Sequence, residues 1–181
     1  MSSVRKTQIG LIAGLTLSGC ASTLPGSDRA ELGNISRSNI VPKSTPTALL
    51  VGFHDFCVNA PPTRAAKEDH LRSAAYVPTS PKTADLQVFL SDDARPAIAI
   101  SDTMCLAQAR SRTGQTQRVQ DYVAKTFPDA RALDVTKIDT ELEQAWVTAT
   151  PAIIATQRTN SINNTPDYAV IYFRDRANVS P

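Results

Sequence analysis

Residues 86–110 read LQVFLSDDARPAIAISDTMCLAQAR, and this stretch decides the predicted fold. It contains three apolar runs of strand length, at 86–90, 97–100 and 104–110. Short segments rich in Asp, one of them with a Pro, separate the runs, and these residues favour tight turns. Three strands joined by short connections predict an antiparallel meander.

The third predicted strand places its small residues on one face. Successive strand residues point to opposite sides of a sheet, so Cys105, Ala107 and Ala109 share a face. Small side chains leave room there, and we expect a helix to pack against them. Cys57 comes just before the first predicted helix, which predicts that Cys105 lies close to it.

Two helices and further strands complete the predicted domain. The helices are expected at 63–75, with Thr63 as N-cap, and from a Thr113 cap to a stop at Pro128. The remaining segments are a continuous apolar strand at 48–53, a loop or short strand around Ala132 and Leu133, a brief turn at 139–144, and a strand at 168–173. A further strand at 146–157 is interrupted by Pro151, so it is expected to be an edge strand or to bend there. The expected fold class is α+β, with a single antiparallel sheet of about five to six strands and two helices on one face.

The N-terminus has the composition of an export signal. Arg5 and Lys6 supply positive charge, residues 9–17 are mainly apolar, and Cys20 ends the run Leu-Ser-Gly-Cys. The apolar stretch is too short for a membrane span, which needs roughly 20 residues. The pattern resembles the signal of bacterial prolipoproteins. That resemblance implies cleavage of residues 1–19 and acylation of Cys20, for example with palmitate, so that a lipid would anchor the protein in a membrane.

The same resemblance implies an address in the bacterial cell envelope. Ala21 follows the cysteine, where an Asp would favour retention in the inner membrane under enteric-type sorting. We therefore expect the outer membrane, with the domain facing the periplasm. Arg5 and Lys6 account for the whole formal charge of +2, so the chain without its signal is neutral. It also lacks a Lys/Arg-rich run, and no nucleic-acid partner is expected.

The remaining chain divides into a tether, a domain and a tail. Residues 20–46 are predicted to be the acylated cysteine and a flexible tether that spans on the order of 25–30 Å. Three branched apolar residues inside it leave open a short strand or a latch onto the domain. The globular domain is expected at 47–176 and the C-terminal tail at 177–181.

Once Cys20 is acylated, two cysteines remain. Cysteines of an exported protein most simply pair, so Cys57 and Cys105 are predicted to form a disulfide that stabilises the fold by about 4 kcal/mol. The alternative is a thiol nucleophile with His54 or His70 as its base. His54 lies three residues before Cys57 on a predicted strand end, so the two would face opposite sides.

Other site chemistry is sparse in the sequence. Gly114 begins the second predicted helix near Arg110 and Arg112, a combination that could bind an anion through free N–H groups; the alternative is a strand-to-helix turn. The aspartates of the turns lack the alternating spacing and glycine of a calcium loop, so no metal site is predicted. No cofactor motif is present in the sequence.

These observations predict a non-enzymatic binding or assembly module, held in the envelope by lipid at Cys20 and with a protein partner there. The alternative is a small periplasmic hydrolase or thiol enzyme. Beyond residue 20 no motif ties the chain to a named family.

Overall fold

The computed structural model describes residues 25–34, 44–79, 85–137, 141–160 and 166–174. The predicted signal, Cys20 and the tail at 177–181 lie outside the described residues.

Eight strands form one open antiparallel sheet in the order β1-β2-β3-β4-β8-β7-β6-β5. The strands are β1 (Val77–Pro78), β2 (Gln87–Leu90), β3 (Ala97–Ile100), β4 (Met104–Arg110), β5 (Arg131–Ala132), β6 (Leu142–Val147), β7 (Ile153–Asn160) and β8 (Pro166–Phe173). The predicted meander is confirmed as β2-β3-β4. The last strand, β8, lies between β4 and β7 and joins the meander to the second half of the sheet.

The sheet has more strands than the five to six predicted. Strands β1 and β5 have two residues each, which is too short for a periodic signal. No strand is predicted at β1, whereas β5 includes Ala132, where the sequence leaves a loop or a short strand open. The stretch around Pro151 is also two strands rather than one bent strand. Pro151 lies in the turn between β6 and β7, where Thr148 N–H donates to the Ala152 carbonyl at 3.0 Å. The predicted turn at 139–144 is wrong from Leu142 onward, because β6 begins there.

Within the described residues, four α-helices accompany the sheet. They are α1 (Gly26–Asn34), α2 (Pro46–Phe53), α3 (Arg64–Ser73) and α4 (Gln115–Thr126). A π-helical turn at His54–Val58 continues α2, and a short 3₁₀ turn spans Val135–Lys137. Within the described ranges, no helix has both the length and the apolar character needed to cross a bilayer.

The strand predicted at 48–53 is wrong, because this run forms most of α2. Thr45 caps the helix by accepting a hydrogen bond from Ala48 N–H at 3.1 Å, and Pro46 occupies the first turn. Leu49 and Phe53, four residues apart, are buried on the inward side. A short apolar run does not distinguish a buried strand from a buried helix, and here the preceding Thr-Pro pair decides.

The two predicted helices are confirmed, with one difference at a cap. Thr63 caps α3 through Ala66 N–H at 3.3 Å, as predicted. Helix α4 ends before Pro128 but begins after Gly114, which has a left-handed φ of 79°, and it has no side-chain cap from Thr113. Glycine adopts this conformation without the steric penalty of a Cβ.

Three helices, rather than two, cover one face of the sheet. Side chains of α2, α3 and α4 pack with Cys105, Ala107 and Ala109 of β4 in the main core, so the predicted small-residue face is confirmed. A smaller apolar cluster occupies the opposite face, around Ile153 and Ile171.

Part of the predicted tether is an ordered helix. Residues of α1 lie inside 20–46, and Asp28 of α1 is buried against Arg72 of α3. Two hydrogen bonds, of 2.8 and 3.1 Å, join the carboxylate to the guanidinium. This pairing raises the pKa of Arg72. Leu32 also packs against Leu90 and Ala97 at the edge of the sheet, so α1 is fastened to the domain.

Candidate functional site

A groove of about 520 Å³ lies between α2 with its π-helical turn and α4, and we call it the α2–α4 groove. Its volume falls in the range typical of small-molecule sites. The lining is mainly apolar and comprises Thr47, Leu50, Val51, His54, Asp55, Arg118, Asp121, Tyr122, Lys125 and Thr126. Every one of these residues comes from one of the two helical elements, which both rest on the same sheet face.

The α2 wall exposes an apolar side chain. Leu50 packs partly against the core, whereas Val51 is 53% exposed. Among the described residues, Val51 is the one large hydrophobic side chain with such exposure. The helix widens into the π-helical turn directly after this wall, and π-helical turns within helices are frequent at functional sites.

Two hydrogen bonds link Asn59 through His54 to Tyr122, and the second of them joins the two walls of the groove. Asn59 Nδ2 lies 2.9 Å from His54 Nε2, and His54 Nδ1 lies 2.7 Å from the Tyr122 hydroxyl. An amide nitrogen can only donate, so Nε2 accepts and the neutral imidazole carries its hydrogen on Nδ1. His54 therefore donates to the oxygen of Tyr122.

Aromatic neighbours hold the Tyr122 ring in place. Phe53 and Phe127 meet it edge-to-face, with ring centroids 6.0 and 6.2 Å away. Burial raises the pKa of Tyr122 to about 12. At neutral pH the hydroxyl therefore keeps its hydrogen, which suits a hydrogen-bond donor and makes a poor nucleophile or base.

The rim of the groove carries balanced charge. Asp55 and Asp121 are acidic, and Arg118 and Lys125 are basic. The Asp121 carboxylate also accepts a hydrogen bond of 2.9 Å from Gln117 within α4. The formal charge of the rim is therefore zero, so the groove offers no electrostatic preference for an anion or a cation.

A second groove, of about 510 Å³, lies at the edge of the sheet beside β5. Its lining is mainly polar and includes Asp129, Arg131 and Thr148. Small-molecule sites are typically apolar with a few placed polar groups, so the α2–α4 groove is the stronger candidate.

The predicted cysteine pair is present. Cys57 and Cys105 form a disulfide with their Cα atoms 5.4 Å apart, and both residues are buried. The bond joins the π-helical turn to β4. A thiol enzyme would need a free Cys57, and His54 is engaged with Tyr122 and Asn59 instead.

The structure brings the three predicted anion-site residues together in the turn between β4 and α4. Arg110 ends β4, and Gly114 precedes α4. The buried Gln115 side chain accepts from Arg112 N–H at 2.6 Å and donates to the Arg110 carbonyl at 3.1 Å. The Gln115 side chain thus satisfies backbone groups of the turn, as expected of the strand-to-helix alternative.

Sequence reasoning missed the groove. Two local signals point toward it: the Thr-Pro cap that makes α2 a helix, and the spacing of Arg118, Tyr122 and Lys125, which places them along one outer row of α4. No local signal brings the two helices together, since His54 and Tyr122 are 68 residues apart. In the part of the chain that the structure describes, no group of three or more His, Cys, Asp or Glu side chains is placed to hold a metal.

Comparisons with known proteins do not supply a relative. No protein-family model matches the chain, no curated protein matches it, and no solved structure matches it.

Proposed function

We propose that this protein is a non-enzymatic envelope lipoprotein whose domain binds a small, mainly apolar molecule in the α2–α4 groove. The lipid at Cys20 would hold it in the outer membrane with the domain in the periplasm. The observation that carries the binding role is the open apolar wall of α2, with Val51 exposed beside the half-buried Tyr122–His54 pair. The anchor rests on the resemblance of residues 1–20 to a prolipoprotein signal.

The groove supports a small molecule better than a large protein partner. A stable protein interface buries roughly 800 Å² on each side and centres on apolar anchors. The described surface offers one large exposed hydrophobic side chain, Val51, inside a groove of about 520 Å³. A ligand with a compact apolar body would fill such a space, whereas a protein would need a wider apolar patch.

Enzymatic chemistry has less support at this site. Burial raises the pKa of Tyr122 to about 12, so its hydroxyl is protonated at neutral pH. The sulfur of Cys57 is bonded to that of Cys105. His70, the other histidine, lies with its ring centroid 5.2 Å from that of Phe56, away from the groove lining. The hydrolase alternative therefore lacks an activated nucleophile among these residues.

Binding can be tested with two probes that share an apolar body, n-butylbenzene and 4-phenylbutan-2-one. The complete 181-residue chain would be made cell-free in an oxidising glutathione buffer without membranes, which keeps detergent and lipid out of the groove. We expect saturation-transfer NMR to detect binding. Val51→Asp should weaken both probes at least about tenfold, because it places a carboxylate on the apolar wall.

Ala65→Asp is the matched control, since Ala65 is exposed on α3 and outside the groove lining. It should bind both probes as the wild type does. Absence of binding by both probes, or equal binding by the wild type and Val51→Asp, would contradict the proposed binding role.

The anchor has a separate test. Cys20→Ser should release the protein from bacterial membranes or leave it unprocessed, and it should abolish incorporation of labelled palmitate. Membrane fractionation and mass measurement of the wild type and the variant would show this. A Cys20→Ser protein that is processed and still membrane-bound would contradict the lipoprotein assignment without affecting the groove.

A further inference from the structure

We propose that the α2–α4 groove selects neutral molecules that join an apolar body to a carbonyl oxygen, which the Tyr122 hydroxyl recognises by donating a hydrogen bond. This inference rests on the proposed binding function and specifies its ligand class. A ketone, an ester or an amide would satisfy it, whereas a hydrocarbon would lack the acceptor and an amine would present a donor.

The direction of the hydrogen-bond chain carries the inference. The amide nitrogen of Asn59 can only donate, and it lies 2.9 Å from His54 Nε2. Nε2 therefore accepts, and the hydrogen of the neutral ring is on Nδ1. His54 Nδ1 then donates to the Tyr122 oxygen over 2.7 Å. Because this contact uses the oxygen as an acceptor, the hydroxyl hydrogen of Tyr122 points away from His54. Tyr122 thus presents a donor to its surroundings.

The surroundings of that donor are the groove itself. Tyr122 and Thr126 both line it, and the Thr126 hydroxyl lies beside that of Tyr122. Phe53 and Phe127 pack on the ring and restrict its rotation. A carbonyl oxygen entering the groove would lie beside Thr126 and accept the hydrogen that Tyr122 presents.

The remaining walls define the rest of the ligand. Leu50 and Val51 provide an apolar surface on the α2 side. Because the four charged rim residues sum to zero, a net charge on the ligand gains nothing from the site as a whole. The favoured ligand is therefore neutral, with its apolar body against α2 and its acceptor toward α4.

A three-probe series tests this selection on the complete chain in oxidising buffer. The probes are n-butylbenzene, 4-phenylbutan-2-one and 4-phenylbutan-2-amine, which share a phenyl-alkyl body and differ in the polar group. We expect the ketone to bind about tenfold more tightly than the other two, as one net hydrogen bond allows. Dissociation constants from calorimetry give the two ratios.

Tyr122→Phe removes the donor and should bring the ketone-to-hydrocarbon ratio to about one. Val51→Asp should weaken the ketone and the hydrocarbon together and leave their ratio unchanged, and Ala65→Asp should change neither. Equal binding of ketone and hydrocarbon by the wild type, or tighter binding of the amine, would overturn the carbonyl selection while the groove remained a binding site. Failure of all three probes would overturn both proposals. The wild-type ratios stand even where Tyr122→Phe does not fold.

Discussion

At the scale of single residues, Gly52 shows how closely α2 approaches the sheet. A Cβ added there would lie 2.6 Å from Cγ and 3.2 Å from Cδ of Pro96, in the turn between β2 and β3. The proline ring is fixed to its own backbone and cannot swing away as a long side chain would. Gly52 thus sets the depth at which α2, and with it the Val51 wall, is seated.

We expect Gly52→Ala to lower the free energy of unfolding by about 1–3 kcal/mol, the usual cost of overpacking a core. Alanine favours a helix over glycine by about 1 kcal/mol, so the clash must outweigh that gain for the prediction to hold. Urea denaturation measures the difference. Gly26→Ala in α1 is the control, because a Cβ there meets nothing within 4 Å. A Gly52→Ala protein as stable as the wild type would contradict the close approach.

At the scale of elements, the sequence predicts what local patterns encode. The alternation in β4, the Thr63 cap and the end of α4 before Pro128 each depend on residues close in the chain, and each is confirmed. The strand predicted at 48–53 is wrong because a buried helix and a buried strand of this length are equally apolar.

The candidate site is a different case. Cys57 and Cys105 could be paired from the sequence because they are the two cysteines that remain once Cys20 is set aside. The contact between His54 and Tyr122 is direct, and it joins two helical elements that are far apart in the chain and rest on the same sheet face. No spacing within either helix indicates that contact, so the groove emerges only when the fold is assembled.

The disulfide fastens the π-helical turn to the centre of the sheet, and its removal should loosen that turn. We expect the double variant Cys57→Ala/Cys105→Ala to lose up to about 4 kcal/mol of unfolding free energy, as the chain-entropy model gives for a sequence separation of 48. Guanidinium denaturation with and without reductant measures this. Reduced wild type should approach the double variant.

Cys20→Ala is the control for the cysteine experiment, since it leaves the pair intact and should retain wild-type stability. Thiol labelling of the cell-free chain, denatured without reductant, should modify Cys20 alone. Labelling of all three cysteines would show that the pair does not form and would contradict the predicted loss.

At the scale of the whole molecule, the sheet order explains how distant segments form one core. Strand β8 pairs with β4 on one side and β7 on the other, so the last strand joins the two halves of the open sheet. Its inward residues, Tyr168 and Val170, are fully buried beneath the helices. Tyr76 and Tyr168 are buried, and Tyr122 and Tyr172 are half-buried. This loss of solvent raises the pKa of each of the four tyrosines of the chain.

This shared burial predicts alkaline unfolding. Desolvation is the first cause of the raised pKa at Tyr76, Tyr122, Tyr168 and Tyr172, and the value for Tyr122 is about 12. An unfolded tyrosine has a pKa of about 10. Above pH 10 the unfolded chain therefore loses protons before the folded chain does, and the stability that is fully present below pH 10 declines as the pH rises toward the folded values.

Absorbance of the phenolate at 295 nm, recorded with far-UV circular dichroism, measures this transition. We expect the native chain to show little phenolate at pH 10 and then to ionise and unfold together between about pH 10 and 12. The guanidinium-denatured chain should titrate near pH 10 with the amplitude of all four tyrosines. Tyr122→Phe should remove one of these four amplitudes and, having one fewer buried phenol, should lose stability less steeply with pH. If the native tyrosines titrate near pH 10 while the fold stays intact, their side chains are not desolvated. That result would contradict the predicted alkaline unfolding and the partial burial of Tyr122 beside the groove.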